Sequence, residues 1–256
     1  MAHAKKALDL RKEKNMLSIQ HLTKHYKGSN KGVTDISLEI APGDIYAFIG
    51  HNGAGKTTTL KCVVGIHGFE EGEILIDGKD IKKDPIGCKN TFAYIPDNPD
   101  LYEYLTGIQY LNFIADVFSV SETEREQRIK EYADKFEITA SLGDLISSYS
   151  HGMKQKLAII SALVHKPKLL ILDEPFVGLD PKAAVILKEI MREICEGGGA
   201  IFFSTHVLDV AERLCNKVAI IKGGELIASG EMKDILKDGD TLESIFMEVV
   251  NNAETD

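Results

Sequence analysis

The chain of 256 residues contains no tryptophan and only four cysteines, Cys62, Cys88, Cys195 and Cys215. No two of them form a CxxC pair, so we expect reduced thiols in the core of a cytosolic protein rather than disulfides or a metal site. An apolar run of roughly 18 residues, the length that spans a bilayer, is also lacking. The opening MAHAKKALDLRKEKN has no apolar stretch like that of a secretory signal, and we interpret residues 1–15 as a basic, flexible tail.

The chain has fewer positively charged than negatively charged side chains. The chain has 30 lysines and arginines against 39 aspartates and glutamates, a formal net charge of -9. Binding to a phosphate backbone needs clustered positive charge, so this balance disfavours nucleic acid as the main partner. Hydrophobic residues make up 44% of the chain and charged residues 27%, as expected of a soluble globular protein with a core of its own.

The spacing of apolar residues predicts strands at both ends of the chain. Apolar and polar residues alternate over 16–26 and 33–40, the period of half-buried strands, with a turn predicted at 28–32. Further strands are predicted at 44–50, 72–78, 91–96, 167–175 and 200–206, helices at 56–65, 180–194 and 207–215, and a hairpin at 217–230. This alternation of strand and helix implies a mainly parallel sheet with helices on its faces.

The segment between Pro99 and Val164 has helical spacing instead. Helices are predicted over 105–118 and 121–138, and Ser121 and Glu124 have the spacing of a capping box at the start of the second. Because strand and helix alternate again after this segment, we interpret it as an insertion into the α/β core.

Residues 50–57, GHNGAGKT, match G-x-x-x-x-G-K-[ST] between a predicted strand and a predicted helix. Glycines let backbone N–H groups converge on phosphate oxygens, and the following helix adds its N-terminal dipole. Lys56 can reach the β- and γ-phosphates, the Thr57 hydroxyl can ligate Mg²⁺, and His51 is expected to be a surface filler. The predicted nucleotide-binding residues of this loop are Gly50, Asn52, Gly53, Ala54, Gly55, Lys56, Thr57 and Thr58. A purely structural glycine turn is the alternative, which the flanking strand and helix disfavour.

The segment LLILDEP at 169–175 places two acids at the end of an apolar strand. Asp173 is predicted to be a second Mg²⁺ ligand, and Glu174 can polarise a water beside the γ-phosphate. Taken alone, the pair is better explained as a strand end with two solvated acids. The phosphate loop earlier in the chain makes the catalytic interpretation the stronger one.

The order of these motifs resembles that of the nucleotide-binding subunit of ATP-binding cassette (ABC) transporters, over roughly residues 17–235. SYSHGMKQKL at 148–157 is similar to the signature segment of that family, VGLD at 177–180 to its D-loop, STH at 204–206 to its histidine switch and HYKG at 25–28 to its adenine-stacking segment. The resemblance implies an α/β fold with a P-loop NTPase core, a mainly parallel sheet and an N-terminal antiparallel β subdomain. It implies an ATPase domain at 16–235, with an inserted helical subdomain at about 97–165, and a C-terminal helix and acidic tail at 236–256.

The resemblance also implies roles for single residues. Tyr26 would stack on adenine, and His206 would contact the γ-phosphate. Ser150 and Gly152 would complete the site of a second cassette, and Asp180 would belong to the D-loop. The implied ligands are ATP and Mg²⁺. The implied partners are a second cassette, bound head to tail, and an integral membrane permease that would hold this chain on the cytoplasmic face of the membrane.

Two positions depart from the pattern of the family. The usual Leu-Ser-Gly-Gly-Gln of the signature is replaced by Tyr149, Ser150, His151, Gly152 and Met153, which keeps the serine and the second glycine and resembles exporters. The usual glutamine of the loop near 94–106 is Asp97. Asp97 is predicted to approach Mg²⁺, and the alternative is an acid in an Asp-Asn turn.

Two other functions remain open from the sequence. A soluble cassette ATPase of translation or DNA repair would carry two cassettes or a long coiled coil, whereas this chain has one phosphate loop and no such insertion. A nucleotide-dependent regulator without turnover would not need Glu174.

Overall fold

The computed structural model describes residues 15–26, 28, 31–236 and 239–252. The predicted tail up to residue 14, residues 29 and 30 of the predicted turn and the last four residues of the predicted acidic tail lie outside the described residues. Within these ranges, no helix combines the length and the apolar character that a membrane crossing requires.

The described ranges contain ten strands and nine α-helices. The strands are β1 (Leu17–His25), β2 (Gly32–Ile40), β3 (Ile45–Ile49), β4 (Glu71–Ile76), β5 (Lys79–Asp80), β6 (Phe92–Ile95), β7 (Leu169–Asp173), β8 (Ala200–Thr205), β9 (Lys217–Lys222) and β10 (Glu225–Glu231). The helices are α1 (Lys56–Val63), α2 (Pro85–Lys89), α3 (Gly107–Val117), α4 (Glu122–Lys135), α5 (His151–Leu163), α6 (Pro181–Glu196), α7 (Leu208–Leu214), α8 (Met232–Ile235) and α9 (Leu242–Asn252).

The first sheet is antiparallel and has the order β2-β1-β4-β5. Strand β2 follows the predicted alternation, because every second side chain of a strand points to the same face, whereas register shifts interrupt the alternation in β1. In β2, Ile36, Leu38 and Ile40 are buried, whereas Ser37 and Glu39 are exposed. The N-terminal antiparallel β subdomain predicted from the family resemblance is confirmed.

The second sheet has the order β10-β9-β3-β8-β7-β6, and all its neighbouring strands are parallel except β9 and β10. Every residue of β3, β7 and β8 is buried, which explains why these strands are continuous apolar runs in the sequence. Ile49 pairs with Thr205 and Asp173 with Ser204, so β3, β7 and β8 end at the same edge of the sheet. The predicted mainly parallel sheet is confirmed, and this edge carries the candidate site.

The helices α3, α4 and α5 lie in the chain between β6 and β7, which are adjacent parallel strands. These helices therefore form the connection between two neighbouring parallel strands of the sheet. The guanidinium of Arg128 on α4 donates to the carbonyl of Val164, 2.7 Å away, and so ties α4 to the end of α5. The limits proposed for the inserted subdomain and for the whole ATPase domain remain predictions.

The capping box predicted at Ser121 is wrong in its details. Ser121 does precede α4, but its hydroxyl donates to the Glu124 carboxylate at 2.8 Å and receives no backbone N–H. A full capping box is found one helix earlier, at the start of α3. There the Thr106 hydroxyl accepts from the Gln109 N–H at 3.3 Å, and the Gln109 side chain accepts from the Thr106 N–H at 2.9 Å.

All four cysteines fall in the described part of the chain and are free thiols. Cys62, Cys88 and Cys215 are buried, and Cys195 is half-buried. Burial raises the pKa of Cys62 and of Cys88 to about 11, and that of Cys195 to about 12. High pKa values disfavour the reactive thiolate, and the four cysteines lie in or against the core as expected, while their reduced state remains a prediction.

Candidate nucleotide-binding site

The loop between β3 and α1 has glycines where close packing demands them. A Cβ atom on Gly50 would lie 2.5 Å from the carbonyl oxygen of Ile221. Gly55 has a φ of 111°, in the left-handed region, and a Cβ there would lie 2.6 Å from Cγ1 of Val33. The loop is therefore pressed against β2 and β9, and its shape depends on these two residues lacking a side chain.

Lys56 begins α1 and is buried, with 6% of its surface exposed. Its ammonium donates to the carbonyl of Gly50 at 2.7 Å and to that of His51 at 3.4 Å, and it lies 3.6 Å from Glu174 Oε1. A buried charge requires such partners. The contacts hold the ammonium at the centre of the loop, where phosphate oxygens would converge.

Asp173 and Glu174 stand together at the end of β7 but have different surroundings. Asp173 is 1% exposed and accepts the Ser204 hydroxyl at 2.5 Å. Glu174 has a φ of 49°, a left-handed conformation that residues other than glycine adopt at a cost of order 1–3 kcal/mol. Its N–H donates to the carbonyl and to the hydroxyl of Ser204, at 3.2 and 3.1 Å. Ser204 on β8 therefore fixes both acids.

His206 follows β8 and pairs with Glu174. Its Nδ1 lies 2.9 Å from Glu174 Oε2, and its backbone N–H donates to the same oxygen at 3.3 Å. The imidazole is half-exposed, whereas the Glu174 side chain is 11% exposed. The structure thus brings the predicted base and the predicted histidine switch into direct contact.

A cleft of about 240 Å³ collects most of the predicted residues. It is lined by Asn52, Gly53, Gly55, Lys56, Thr57, Thr58, Asp97, Asp173 and Glu174, and also by Lys31 and Gly32, which the sequence did not indicate. Ala54 instead shapes the loop: its N–H donates to the His51 carbonyl and its own carbonyl accepts the Gly224 N–H. The cleft therefore unites the phosphate loop, the two acids and Asp97.

The donor set of this cleft fits Mg²⁺. Thr57, Asp97 and Asp173 supply hydroxyl and carboxylate oxygens, the ligands that Mg²⁺ prefers. Among the described residues, no group of three or more histidine, cysteine or acidic side chains is arranged to hold a metal by itself. Mg²⁺ is usually bound by one or two carboxylates together with substrate phosphates. A cleft with a few oxygen donors and no complete set of protein ligands is therefore what Mg²⁺ binding with ATP requires.

Tyr26 lies at the rim of the site, next to the start of α1. Its hydroxyl is 3.4 Å from Thr58 Oγ1, and its ring meets the edge of the His67 ring at a centroid distance of 5.9 Å. Tyr26 as a whole is 36% exposed. Its stacking on adenine remains a prediction.

The signature segment packs against the D-loop of its own chain. Ser150 caps α5 by accepting the Met153 N–H at 3.3 Å, and a Cβ on Gly152 would lie 3.1 Å from the Gly178 carbonyl oxygen. Asp180 caps α6 through the Ala183 N–H at 2.8 Å.

An ion pair joins the two helices that follow these segments. Lys156 on α5 lies 2.7 Å from Asp180 Oδ2. The Lys156 ammonium and the Ala183 N–H hold the pKa of Asp180 below its ordinary value. Ser150 and Gly152 do not line the described cleft around Lys56 and Glu174.

A phosphate loop between a buried strand and a helix, with an acidic pair at the end of a parallel strand, defines a P-loop NTPase. The model of the ABC transporter family matches residues 33–177. The ABC-type transporter ATP-binding protein EcsA of Bacillus subtilis (strain 168) is 36% identical over 240 residues, which cover 92% of this chain and 96% of that protein. The chain therefore belongs to the ABC transporter family as an ATP-binding subunit, and it is an ATPase.

Solved structures agree with this assignment. One described as the ATP binding subunit of an ABC transporter has a TM-score of 0.87 and 35% identity, over 92% of this chain and 99% of that one. The cbiO1 protein from Clostridium perfringens, part of the ABC transporter complex cbiONQ, has a TM-score of 0.73 and 28% identity, over 87% of this chain and 90% of that one. The family and fold expected from the motif order are confirmed.

Proposed function

We propose that this ATPase works as a head-to-tail dimer of cassettes, and that hydrolysis drives a separate membrane permease in the direction of export. The observation that supports the dimer is that the two parts of the expected catalytic site lie apart from each other within one chain. Lys56 and Glu174 line the phosphate cleft, whereas Ser150 and Gly152 lie outside it, and Gly152 packs against the D-loop. In an isologous dimer the signature of each copy would close the cleft of the other.

In each site the residues of this chain would divide the work. Lys56 would exchange the carbonyls of Gly50 and His51 for oxygens of the β- and γ-phosphates. Thr57 and Asp173, with Asp97 as a further oxygen ligand, would hold Mg²⁺, which would neutralise the developing charge on the phosphates. Glu174 would accept a proton from the water that attacks the γ-phosphorus, while the bond to the bridging oxygen of ADP breaks.

His206 and the partner's signature segment would complete the site. His206 is paired with Glu174, and from there its imidazole would contact the γ-phosphate. The hydroxyl of Ser150 and the backbone at Gly152 would contact the same phosphate from the second copy. Tyr26 would carry the adenine ring at the rim.

Complementation between two inactive variants tests the shared site. Ser150→Arg should leave ATP binding by a single copy nearly intact but abolish dimerisation and turnover, whereas Lys56→Ala should weaken binding itself. A mixed dimer of the two contains one site free of both changes, so turnover should return on mixing. Ser147→Arg places the same side chain on the same exposed segment and serves as the control. Loss of ATP binding by monomeric Ser150→Arg would show that the serine acts within its own chain.

A surface between the helical insertion and the core supports the proposed permease contact. A groove of about 290 Å³ between β6, α3 and α5 is lined mostly by apolar residues, among them Ile66 and Phe118. Two polar atoms of residues lining it, Tyr94 Oη and His165 Nδ1, are buried and have no hydrogen-bond partner among the described residues. Because these two atoms are already shielded from solvent, the case for a docked protein segment rests on the apolar side chains, which such a segment would cover.

Exposed aromatic rings extend this surface. The ring of Tyr102 contacts those of Tyr104, Tyr110 and Phe113, and Tyr110 also lines the groove. Tyr102, Tyr104 and Phe113 are exposed, and aromatic residues are enriched at protein interfaces. The proposed cytoplasmic location at the membrane follows from this contact with the permease.

Co-purification from native membranes tests the coupling. Tyr104→Asp should lower the amount of permease recovered with this subunit, and Val185→Asp, at an exposed position on α6, should not. Equal recovery with both variants would contradict the docking surface. A chain that is recovered without any membrane protein would instead be a soluble ATPase that is not coupled to transport.

Export rather than import is proposed from the Gly152-Met153 form of the signature segment. In sealed inside-out vesicles that carry the co-purified permease, ATP added outside should drive compounds of a cell extract into the lumen, as detected by mass spectrometry. ATP-dependent release from preloaded vesicles would indicate import.

A further inference from the structure

The C-terminal helix contacts the phosphate loop. The ring of Phe246 on α9 meets the imidazole of His51 with centroids 5.0 Å apart and planes inclined by 64°. Edge-to-face contacts of this kind stabilise aromatic pairs beyond simple burial. Phe246 is 5% exposed and belongs to the main hydrophobic core, whereas His51 is exposed on its other side. His51, expected to be a surface filler, is thus the point where α9 touches the loop.

The helix that carries Phe246 is fixed independently of the loop. The N–H of Leu242 donates to Glu212 Oε2 on α7 at 2.7 Å, and Leu242 is fully buried. The Thr241 hydroxyl accepts the Ser244 N–H at 3.1 Å and caps the first turn. Since α7 begins two residues after His206, α9 is anchored to the element that follows the histidine switch.

His51 in turn takes part in the geometry of the loop. Its carbonyl accepts the Ala54 N–H at 3.1 Å and the Lys56 ammonium at 3.4 Å. A shift of His51 therefore moves an acceptor of the lysine that is expected to bind the phosphates. The ring contact with Phe246 opposes such a shift from outside the loop.

A cavity adjoins this contact and leaves the loop room to move. It measures about 300 Å³ and lies between α9 and the loop, with Gly50, Asn52 and His206 in its walls. Phe246 and Met247 form part of the opposite wall. The loop is therefore not packed tightly along this side, and the ring of Phe246 provides a fixed support at one end of the cavity.

We propose that Phe246 is a positioning residue for ATP binding. It holds His51, and through His51 the phosphate loop, in the conformation that receives the triphosphate. The inference rests on this loop being the ATP site. Loosening the contact should therefore weaken ATP binding more than it slows the chemical step, because Phe246 touches neither acid at the end of β7.

The full chain tests this with a series of conservative changes. Phe246→Leu keeps an apolar filling but removes the ring, Phe246→Tyr keeps the ring, and His51→Ala removes the other half of the contact. Phe246→Leu and His51→Ala should each raise the Kd for a fluorescent ATP analogue, and the KM for ATP, by about two- to tenfold, the range expected for an aromatic pair. The kcat should stay within about twofold, Phe246→Tyr should bind like the wild type, and the double variant should be no weaker than the weaker single one.

Several results would overturn the proposal. Multiplied effects in the double variant would show that the two rings act separately. An unchanged Kd and KM in Phe246→Leu, together with a lower melting temperature, would show that Phe246 is an ordinary core residue. Because His51 is exposed, His51→Ala is not expected to affect folding and tests the contact separately. Met247→Leu, at a half-exposed position on the same helix, is the control and should bind ATP like the wild type. Binding of the analogue by the wild type reports on the ATP site itself and is thus separate from the effect of Phe246.

Discussion

Glu174→Gln removes one negative charge from the phosphate cleft and keeps the volume of the side chain. In the structure, one carboxylate oxygen of Glu174 meets His206 at 2.9 Å and the other lies 3.6 Å from the Lys56 ammonium. Glutamine retains an oxygen that can accept a hydrogen bond but cannot take a proton from water. We expect the variant to bind MgATP and to hydrolyse it very slowly.

Two magnitudes follow from this geometry. General-base catalysis contributes about 10²–10⁴-fold, so turnover should fall by that factor, a rise of about 3–5 kcal/mol in the barrier. The attraction between Lys56 and Glu174 over 3.6 Å amounts to about 4–5 kcal/mol at an effective dielectric constant of about 20, before desolvation is subtracted. Without this competitor, Lys56 is free to pair with phosphate, and ATP affinity should rise.

Steady-state phosphate release and size-exclusion chromatography with ATP measure both effects. The variant should release phosphate slowly and accumulate as an ATP-bound dimer. Glu189→Gln makes the same change at an exposed position of α6 and should behave like the wild type. Undiminished turnover in Glu174→Gln would refute the assignment of Glu174 as the base.

Two further predictions concern acids at the edges of the site. Asp97→Gln should keep turnover within about tenfold, a barrier change of about 1.4 kcal/mol, whereas Asp97→Ala should lower it further; wild-type rates and Mg²⁺ dependence in Asp97→Ala would make Asp97 a turn residue. Lys156→Met should lower the melting temperature at neutral pH but not in acid. Because the pKa of Asp180 is lowered by Lys156, their pairing stabilises the fold above the unfolded pKa of about 3.9 and is lost as the pH falls through the folded pKa. A difference in melting temperature that is constant down to pH 3 would contradict this.

The strands of the parallel sheet were predictable because a strand buried on both faces has a continuous run of apolar residues. β3, β7 and β8 are apolar almost throughout, and their bounds agree with the predicted runs to within a few residues. The cap at Ser121 was not predictable from spacing, since a hydroxyl can choose between a backbone N–H and a nearby charged carboxylate. At Ser121 the carboxylate of Glu124 is the partner.

The residues of the candidate cleft could be predicted where they are neighbours in sequence, as in the phosphate loop and the acidic pair. Lys31 and Gly32 were missed because they reach the cleft through the pairing of β1 and β2, and a Cβ on Gly32 would lie 2.1 Å from the Lys24 carbonyl oxygen. The left-handed backbone conformation of Glu174 could not be predicted from the sequence either. A residue before proline is expected to be extended, whereas the contacts with Ser204 hold Glu174 at a φ of 49°.

The ion pair between Asp180 and Lys156 has a consequence for the timing of the two sites in the proposed dimer. Five residues separate Glu174 from Asp180, and Asp180 is bound to the helix that begins with the signature segment. A change at the base of one site is therefore passed to the segment that closes the other site through a short, anchored connection. The two sites should therefore not hydrolyse ATP independently. The rate of hydrolysis should rise cooperatively with ATP concentration, and a dimer with one disabled site should hydrolyse ATP at less than half the wild-type rate.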